Sequence, residues 1–479
     1  MPVLRITSRA GLIVPAAAAL LLLPGLTQAA DPTDTKPTFG FNAPVAKSAT
    51  GTFDGPGDKA ITVAEGLTVT EVTDKAAMFA DQLTLYPNDQ SPTDVFWCNE
   101  AETEDYPDGT AFPVVQRMNI ASGEITDVIT GNYEDCDATR ATPWGTIIFS
   151  QEVEDSGNLV EILDPLNTSG VTVDQEKRTS SDDAHVVFRP GLGQLAWEGI
   201  AILPDGTTYY GEDRRPGAGV AGGGIYKFVP ATPFSGTAAI TDAAASPYAD
   251  GSVYNLRIGT HSGDSDWGPG RNIGAGVWIP VANDPGASDG DFDLAALTAN
   301  TRTGFYRTED MDIDPIAAAA GSFRACFPNT GSDTDQNYGE VVCLTDAKAD
   351  DATAWPTGTK PVTTQFVVGN PDLRMPDNID FQPGTGIMYL NMDATTSVEN
   401  DMYTNDDIWA CLPDGDDSDL MSDGCVRVAT LNDGNAEFTG IQFMPDGRSF
   451  IVSLQHRGQD GRTTPNTTDI VQVSGFSMP

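Results

Sequence analysis

The stretch that decides the fold is WEGIAILPDGTTYY, Trp197 to Tyr210. Ile200 and Ile202 alternate with Ala201 and so share one strand face, and Pro204-Asp205-Gly206 turns the chain into a second apolar strand. The same template stands at TEDMDIDP (308–315), PDNIDFQPGTGIMYL (376–390) and FTGIQFMPDGRSFIV (438–451). Each copy carries an apolar residue, a spacer, a second apolar residue, a spacer and Pro: Met311, Ile313, Pro315; Ile379, Phe381, Pro383; Ile441, Phe443, Pro445. Helix signals are scarce, and short Val, Ile, Phe, Tyr and Thr runs alternate with Gly, Pro, Asn and Asp clusters. A hairpin recurring at large, irregular intervals predicts an all-β chain, a β-propeller with large insertions between its blades. VFWCNE (95–100) and TPWGTIIFSQE (142–152) read as partial copies without the Pro.

The position two residues before the first apolar residue reads Glu198, Glu309, Asp377 and Thr439, with Glu437 two residues upstream of the last. The inner strand of every propeller blade lines the central channel, so these side chains are expected to face one another. Converging carboxylates repel unless cations neutralise them, which predicts an axial metal site. A solvated rim explains any one of these acids but not the column.

Outside the template, Arg5 and Arg9 precede the apolar run GLIVPAAAALLLLPGL and the small-residue end Thr27-Gln28-Ala29-Ala30. That order describes an export signal over 1–30. Residues 31–60 read as an extended lead-in, and 61–479 as a single propeller domain. No later run approaches the roughly 18 apolar residues of a spanning helix, so no stable membrane insertion is expected. Lys and Arg number 26 against 69 Asp and Glu, a net charge of −43. Such a surface repels nucleic acid and anionic membranes, and salty surroundings would tolerate it. A small-molecule substrate and a monomeric chain are the expectation. Of six cysteines, Cys326 with Cys343 and Cys411 with Cys425 bracket single loops as local disulfides. Cys98 and Cys136 either bond to each other or leave Cys136 as a metal-ligating thiolate. With only His185, His261 and His456 present, an all-histidine zinc site is disfavoured, and no Gly-x-Ser-x-Gly elbow appears.

DCDATRATPWGTIIFSQE (135–152), AWEGIAILPDGTTYYGEDRRPG (196–217), GGGIYKFVP (222–230), TEDMDID (308–314), PDNIDFQPGTGIMYL and AEFTGIQFMPDGRSFIVSLQHRG (436–458) together resemble the PhoX-type alkaline phosphatase family, in order, from about Cys98 to Gly458. The resemblance implies a propeller whose axis holds ferric iron and calcium and hydrolyses small phosphate monoesters in the periplasm or outside the cell. Carried over, the metal ligands are Cys136, Glu152, Glu198, Glu309 and Glu437, with Glu212, Asp213, Asp377, Asn378 and Asp310 as further calcium ligands. Arg140 and Arg215, with Arg214 and Arg307 beside them, are candidates for clamping phosphoryl oxygens. The chain departs from the family in three places. DATRA replaces small Gly-rich residues after Cys136, Gln151-Glu152 replaces a pair of acids, and Trp197 stands where a histidine is frequent. Arg5 and Arg9 are separated rather than twinned, which predicts a Sec-type route and export in the unfolded state. That route favours a Cys98–Cys136 bond, which would remove the iron thiolate. Two other readings follow: a calcium-binding propeller with a structural role, and a calcium-dependent lactonase or arylesterase using Asn378 and His456.

Overall fold

In the computed structural model the inner strands Ala80–Tyr86, Cys136–Ala141, Trp197–Ile202, Asp312–Ile313, Pro376–Phe381 and Glu437–Phe443 stand side by side in that order, the last against the first. The structure describes residues 36–478 except 54, 103–104, 107–110, 218–220, 260–267, 283–291, 333–336, 347–360, 395–403, 416 and 458–466. The expected signal over 1–30 lies outside the described residues. Each inner strand begins an antiparallel meander running outward, so the sheets form the six blades of a β-propeller. The third and fourth blades share one continuous sheet, because Gly274 and Ala275 pair with Thr363 and Val362 at their outer edges.

The chain closes the ring by strand exchange. Thr68–Ala76 pairs with Thr468–Ser474 to complete the sixth blade, and Ile61–Val63 pairs with Cys425–Leu431 to complete the fifth. Two outer edges that would template aggregation are thereby covered. The lead-in is packed into this closure: Phe39 and Phe41 are buried with Tyr389, Phe443, Phe450 and Phe476 between the fifth and sixth blades. Fully burying one such ring is worth roughly 1.5–3 kcal/mol.

Three of the Pro-terminated copies form the inner hairpins of blades three, five and six, and in blade four Pro315 opens a short helix, Pro315–Ala319, before the second strand. Their apolar pairs fill the wedges between blades, with Ile200, Met311, Ile379, Phe381, Ile441 and Phe443 all buried. The partial copies are corrected by the structure. Asp94–Asn99 and Ile147–Gln151 are second strands of the first two blades, and the inner strands lie upstream of them. The two local disulfides are present, each joining residues directly opposite in neighbouring strands. A third, Cys98–Cys136, ties the first blade to the second.

Candidate metal centre

Every inner strand has the same irregularity at its start. Between Ala80 and Leu83, Cys136 and Thr139, Trp197 and Ile200, Pro376 and Ile379, and Thr439 and Gln442, three steps along the inner strand face two along its partner. In the fourth blade the same extra residue falls between Thr308 and Asp312. A bulge twists the strand and re-aims the side chains within it, so each inner strand turns a residue onto the axis where its blade begins. The bulges also bring backbones together. A Cβ on Gly199 would lie 2.0 Å from the Met311 nitrogen, and Gly440, at φ +59°, would meet the Asp81 carbonyl at 2.4 Å. Glycine at these two positions is a packing requirement.

Asp81, Asp137, Glu198, Glu309 and Asp377 lie within these bulges, and with Glu437, two residues before the bulge of the sixth blade, they form an inner ring, one from each blade. A second ring follows the ends of the second strands, with Glu100, Glu152, Asp393 and His456 contributed by blades one, two, five and six. Together with Asn378, Arg307 and Gln455 they enclose a cavity of about 180 Å³, room for several ions and waters at roughly 30 Å³ each. Oxygens of Asp81, Glu100 and Asp137, and of Asp137, Glu152 and Glu198, come within 4.8 Å of one another.

The electrostatics are those of a site built for cations. Burial drives Asp81, Glu100, Glu152, Glu198, Glu309, Asp377 and Glu437 well above the ordinary carboxylate range, and neighbouring carboxylates push them further. Burial lifts Asp137 to about 6, with a hydrogen bond from Glu198 restraining the rise. Asp81 Oδ1 and Asp137 Oδ2 are buried without hydrogen-bond partners, a cost of about 1–3 kcal/mol each unless something else satisfies them. Among the cavity residues Arg307 is the one arginine. It pairs with Glu309 at 2.8 Å, Asp393 at 2.7 Å and Asp213 at 3.1 Å, from a backbone at φ +62°. A bulky residue in that region is strained and held there by its surroundings. Burial opposes ionisation of Asp213, yet Arg307 and a hydrogen bond from Glu152 hold its pKa low. The donor set is nine carboxylates with the amides of Asn378 and Gln455 and the imidazole of His456, a mainly hard oxygen set that fits calcium and ferric iron.

Of the residues named from sequence, Glu152, Glu198, Glu309, Glu437, Asp377 and Asn378 line the cavity. The Asn378 oxygen also accepts from the Gly440 nitrogen at 2.7 Å, binding the fifth blade to the sixth. Asp213 stands behind the wall as the partner of Arg307 and Glu152. Four expectations are corrected. Cys136 is no thiolate, because its sulfur is bonded to Cys98 within an apolar cluster. Glu212 belongs to the interior of the third blade, where it accepts from the Gly224 nitrogen and the Tyr226 hydroxyl, both at 3.0 Å. Arg140 does not line the cavity but is bound to Gln82 and Asp310. Arg215 is exposed and does not line the cavity. Asp310 pairs with Arg140 outside the lining, and Arg214 pairs with Asp155.

The residues missed by the template reading are Asp81, Asp137, Glu100 and Asp393. The signal for the first two was in the sequence: Asp81 stands six residues before Pro87 and Asp137 six before Pro143, the spacing of Glu198 to Pro204, Glu309 to Pro315 and Asp377 to Pro383.

Compared with known families, the chain matches Alkaline phosphatase PhoX over residues 43–458. The chain belongs to the PhoX family. Metal-dependent phosphatase activity goes with that membership. Among solved structures, PhoX of Pseudomonas fluorescens in complex with vanadate, a transition state analogue, is similar with a TM-score of 0.58 and 16% identity, covering 91% of this chain and 98% of that one. The PQQ-bound aldose sugar dehydrogenase of Streptomyces coelicolor overlaps at a TM-score of 0.41 and 13% identity, over 86% and 99% of the two chains. None of the curated protein sequences compared matches the chain. No described helix is long and apolar enough to cross a membrane.

Proposed function

We propose that this PhoX-family chain hydrolyses phosphate monoesters at the axial centre, with calcium and ferric iron held by oxygen ligands alone. The observation that carries the reading is the convergence of nine carboxylates on one cavity with a single arginine among them. Asp81, Asp137, Glu198, Glu309, Asp377 and Glu437 are the principal ligands, with Glu100, Glu152, Asp393 and the Asn378 amide completing the shell. Bound cations supply the positive charge that draws a phosphate into an otherwise repelling site and stabilises a leaving alkoxide. The chain supplies the rest. With its carboxylate partners engaged by bound cations, the Arg307 guanidinium would donate to two phosphoryl oxygens. Arg215, exposed beside Asp213, offers a first contact for an arriving anion. Three disulfides suit an oxidising compartment, which supports export to the periplasm or medium. One chain furnishes the whole cavity, which is consistent with a monomer.

The Cys98–Cys136 bond favours a second reading in which the centre holds calcium without iron. Hydrolysis of p-nitrophenyl phosphate by chelator-stripped protein separates the two, with calcium, ferric iron or both restored. Turnover needing both metals supports the mixed centre, and turnover with calcium alone supports the second reading. No turnover under any restoration sinks the phosphatase assignment.

A further inference from the structure

Arg140 does not line the cavity, yet one hydrogen-bond path leads from its guanidinium to the centre. Arg140 Nη1 donates to Gln82 Oε1 at 2.7 Å and to the Thr139 carbonyl at 3.0 Å, while Nη2 pairs with Asp310 Oδ1. Gln82, fully buried, donates from Nε2 to Glu198 Oε2 at 3.2 Å. A guanidinium has only donors, so the amide of Gln82 must present its oxygen to Arg140 and its nitrogen to Glu198. Asp310 is itself fixed, its Oδ1 accepting from the Met311 nitrogen at 2.7 Å and its Oδ2 from the Ile379 nitrogen at 3.2 Å. Side chains of the first four blades and a backbone amide of the fifth therefore meet around one arginine.

We infer that Arg140 is a positioning residue for the metal centre: through Gln82 it fixes Glu198 as an acceptor on Oε2 and leaves its other oxygen for a cation. The inference rests on reading the cavity as a metal centre. It replaces substrate contact with a role in metal affinity, and gives the DATRA segment a purpose that small residues could not serve. Partners that orient a metal ligand typically contribute 10- to 100-fold in affinity.

The test uses the full mature chain, stripped with chelator and titrated calorimetrically with calcium chloride. Q82L removes the donor to Glu198 and leaves the Arg140–Asp310 pair intact. R140M/D310N removes that buried pair together, avoiding a lone buried charge that could prevent folding. Both should bind calcium about 10- to 100-fold more weakly than wild type, with cooperative metal-free melting retained. The triple variant should bind no more weakly than Q82L, since both lesions lie on one path. Wild-type affinity in folded Q82L, or a triple variant whose losses add, overturns the inference while leaving the metal centre standing. A wild-type chain that binds no calcium overturns both.

Discussion

Removing metal should make this protein's stability depend on pH with a sign opposite to that of an ordinary acid-denaturing protein. The magnitude can be worked from Asp137, whose pKa rises from 3.8 to about 6 on burial. A raised carboxylate pKa means the folded state holds its proton more tightly than the unfolded chain. Its contribution is complete below about pH 4 and is lost as pH rises through 6. The rise of roughly two pH units corresponds to about 3 kcal/mol for this residue alone. At about 2.1 cal/mol/K per residue of unfolding entropy, that is about 3 °C in Tm for a chain of this length. Asp135, lifted to about 7 by burial and nearby acids, extends the window upward, and Asp81, Glu198 and Glu437 act in the same direction. Thermal melts between pH 4 and 8, with chelator and in about 1 M NaCl, check this, because such salt screens surface repulsion beyond about 3 Å. Calcium binds the ionised ligands and displaces their protons, so its stabilisation should grow with pH. A metal-free Tm that is flat or rises from pH 4 to 7, or a calcium effect larger at pH 5 than at pH 7, would refute the reasoning.

Three substitutions address separate parts of the account. C98S/C136S opens a loop of 38 residues and should cost about 2–4 kcal/mol of stability while leaving calcium affinity unchanged; a loss of metal in the folded variant would restore Cys136 as a ligand. R307K keeps the charge but loses the fork that spans two phosphoryl oxygens. It should lower kcat/KM for p-nitrophenyl phosphate about 100-fold with calcium still bound, and unchanged kinetics would remove Arg307 from substrate binding. G199A forces a Cβ to within 2.0 Å of the Met311 nitrogen and should destabilise the chain by about 3 kcal/mol in urea unfolding; a neutral result would mean that the third and fourth blades are not so closely packed.

Four of the six inner strands were legible because their apolar pairs and Pro-centred turns are strong local signals. Of the other two, Ala80–Tyr86 keeps the same pattern in Leu83, Leu85 and Pro87, whereas Cys136–Ala141 carries Thr139 in place of the first apolar residue. Their polar side chains join the two neighbouring inner strands. Gln82 and Arg140 bond each other, and Thr84 accepts from the Ala141 nitrogen at 3.0 Å. In the second blade a local contact overrides the apolar pattern, Thr139 Oγ1 donating to the Ile148 carbonyl at 3.0 Å, while the spacing from acid to Pro survives in both strands. Glu100 and Asp393 were hidden for another reason: each follows a second strand, outside the inner-strand template. Glu212 was misplaced because strand alternation turns it inward, away from the adjacent Asp213. The fate of Cys136 could not be read from spacing, since Cys98 is 38 residues away in sequence but only 5.2 Å away between Cα atoms.

The central claim is that acids from all six blades build one metal centre on the propeller axis. Its most direct test is an anomalous difference map from crystals of the mature protein grown with calcium and iron, with data on either side of the iron edge. The account predicts peaks inside the cavity bounded by Asp81, Asp137, Glu198, Glu309, Asp377 and Glu437, and none at Cys136. Crystals with a protein-bound metal elsewhere and an empty cavity would contradict it.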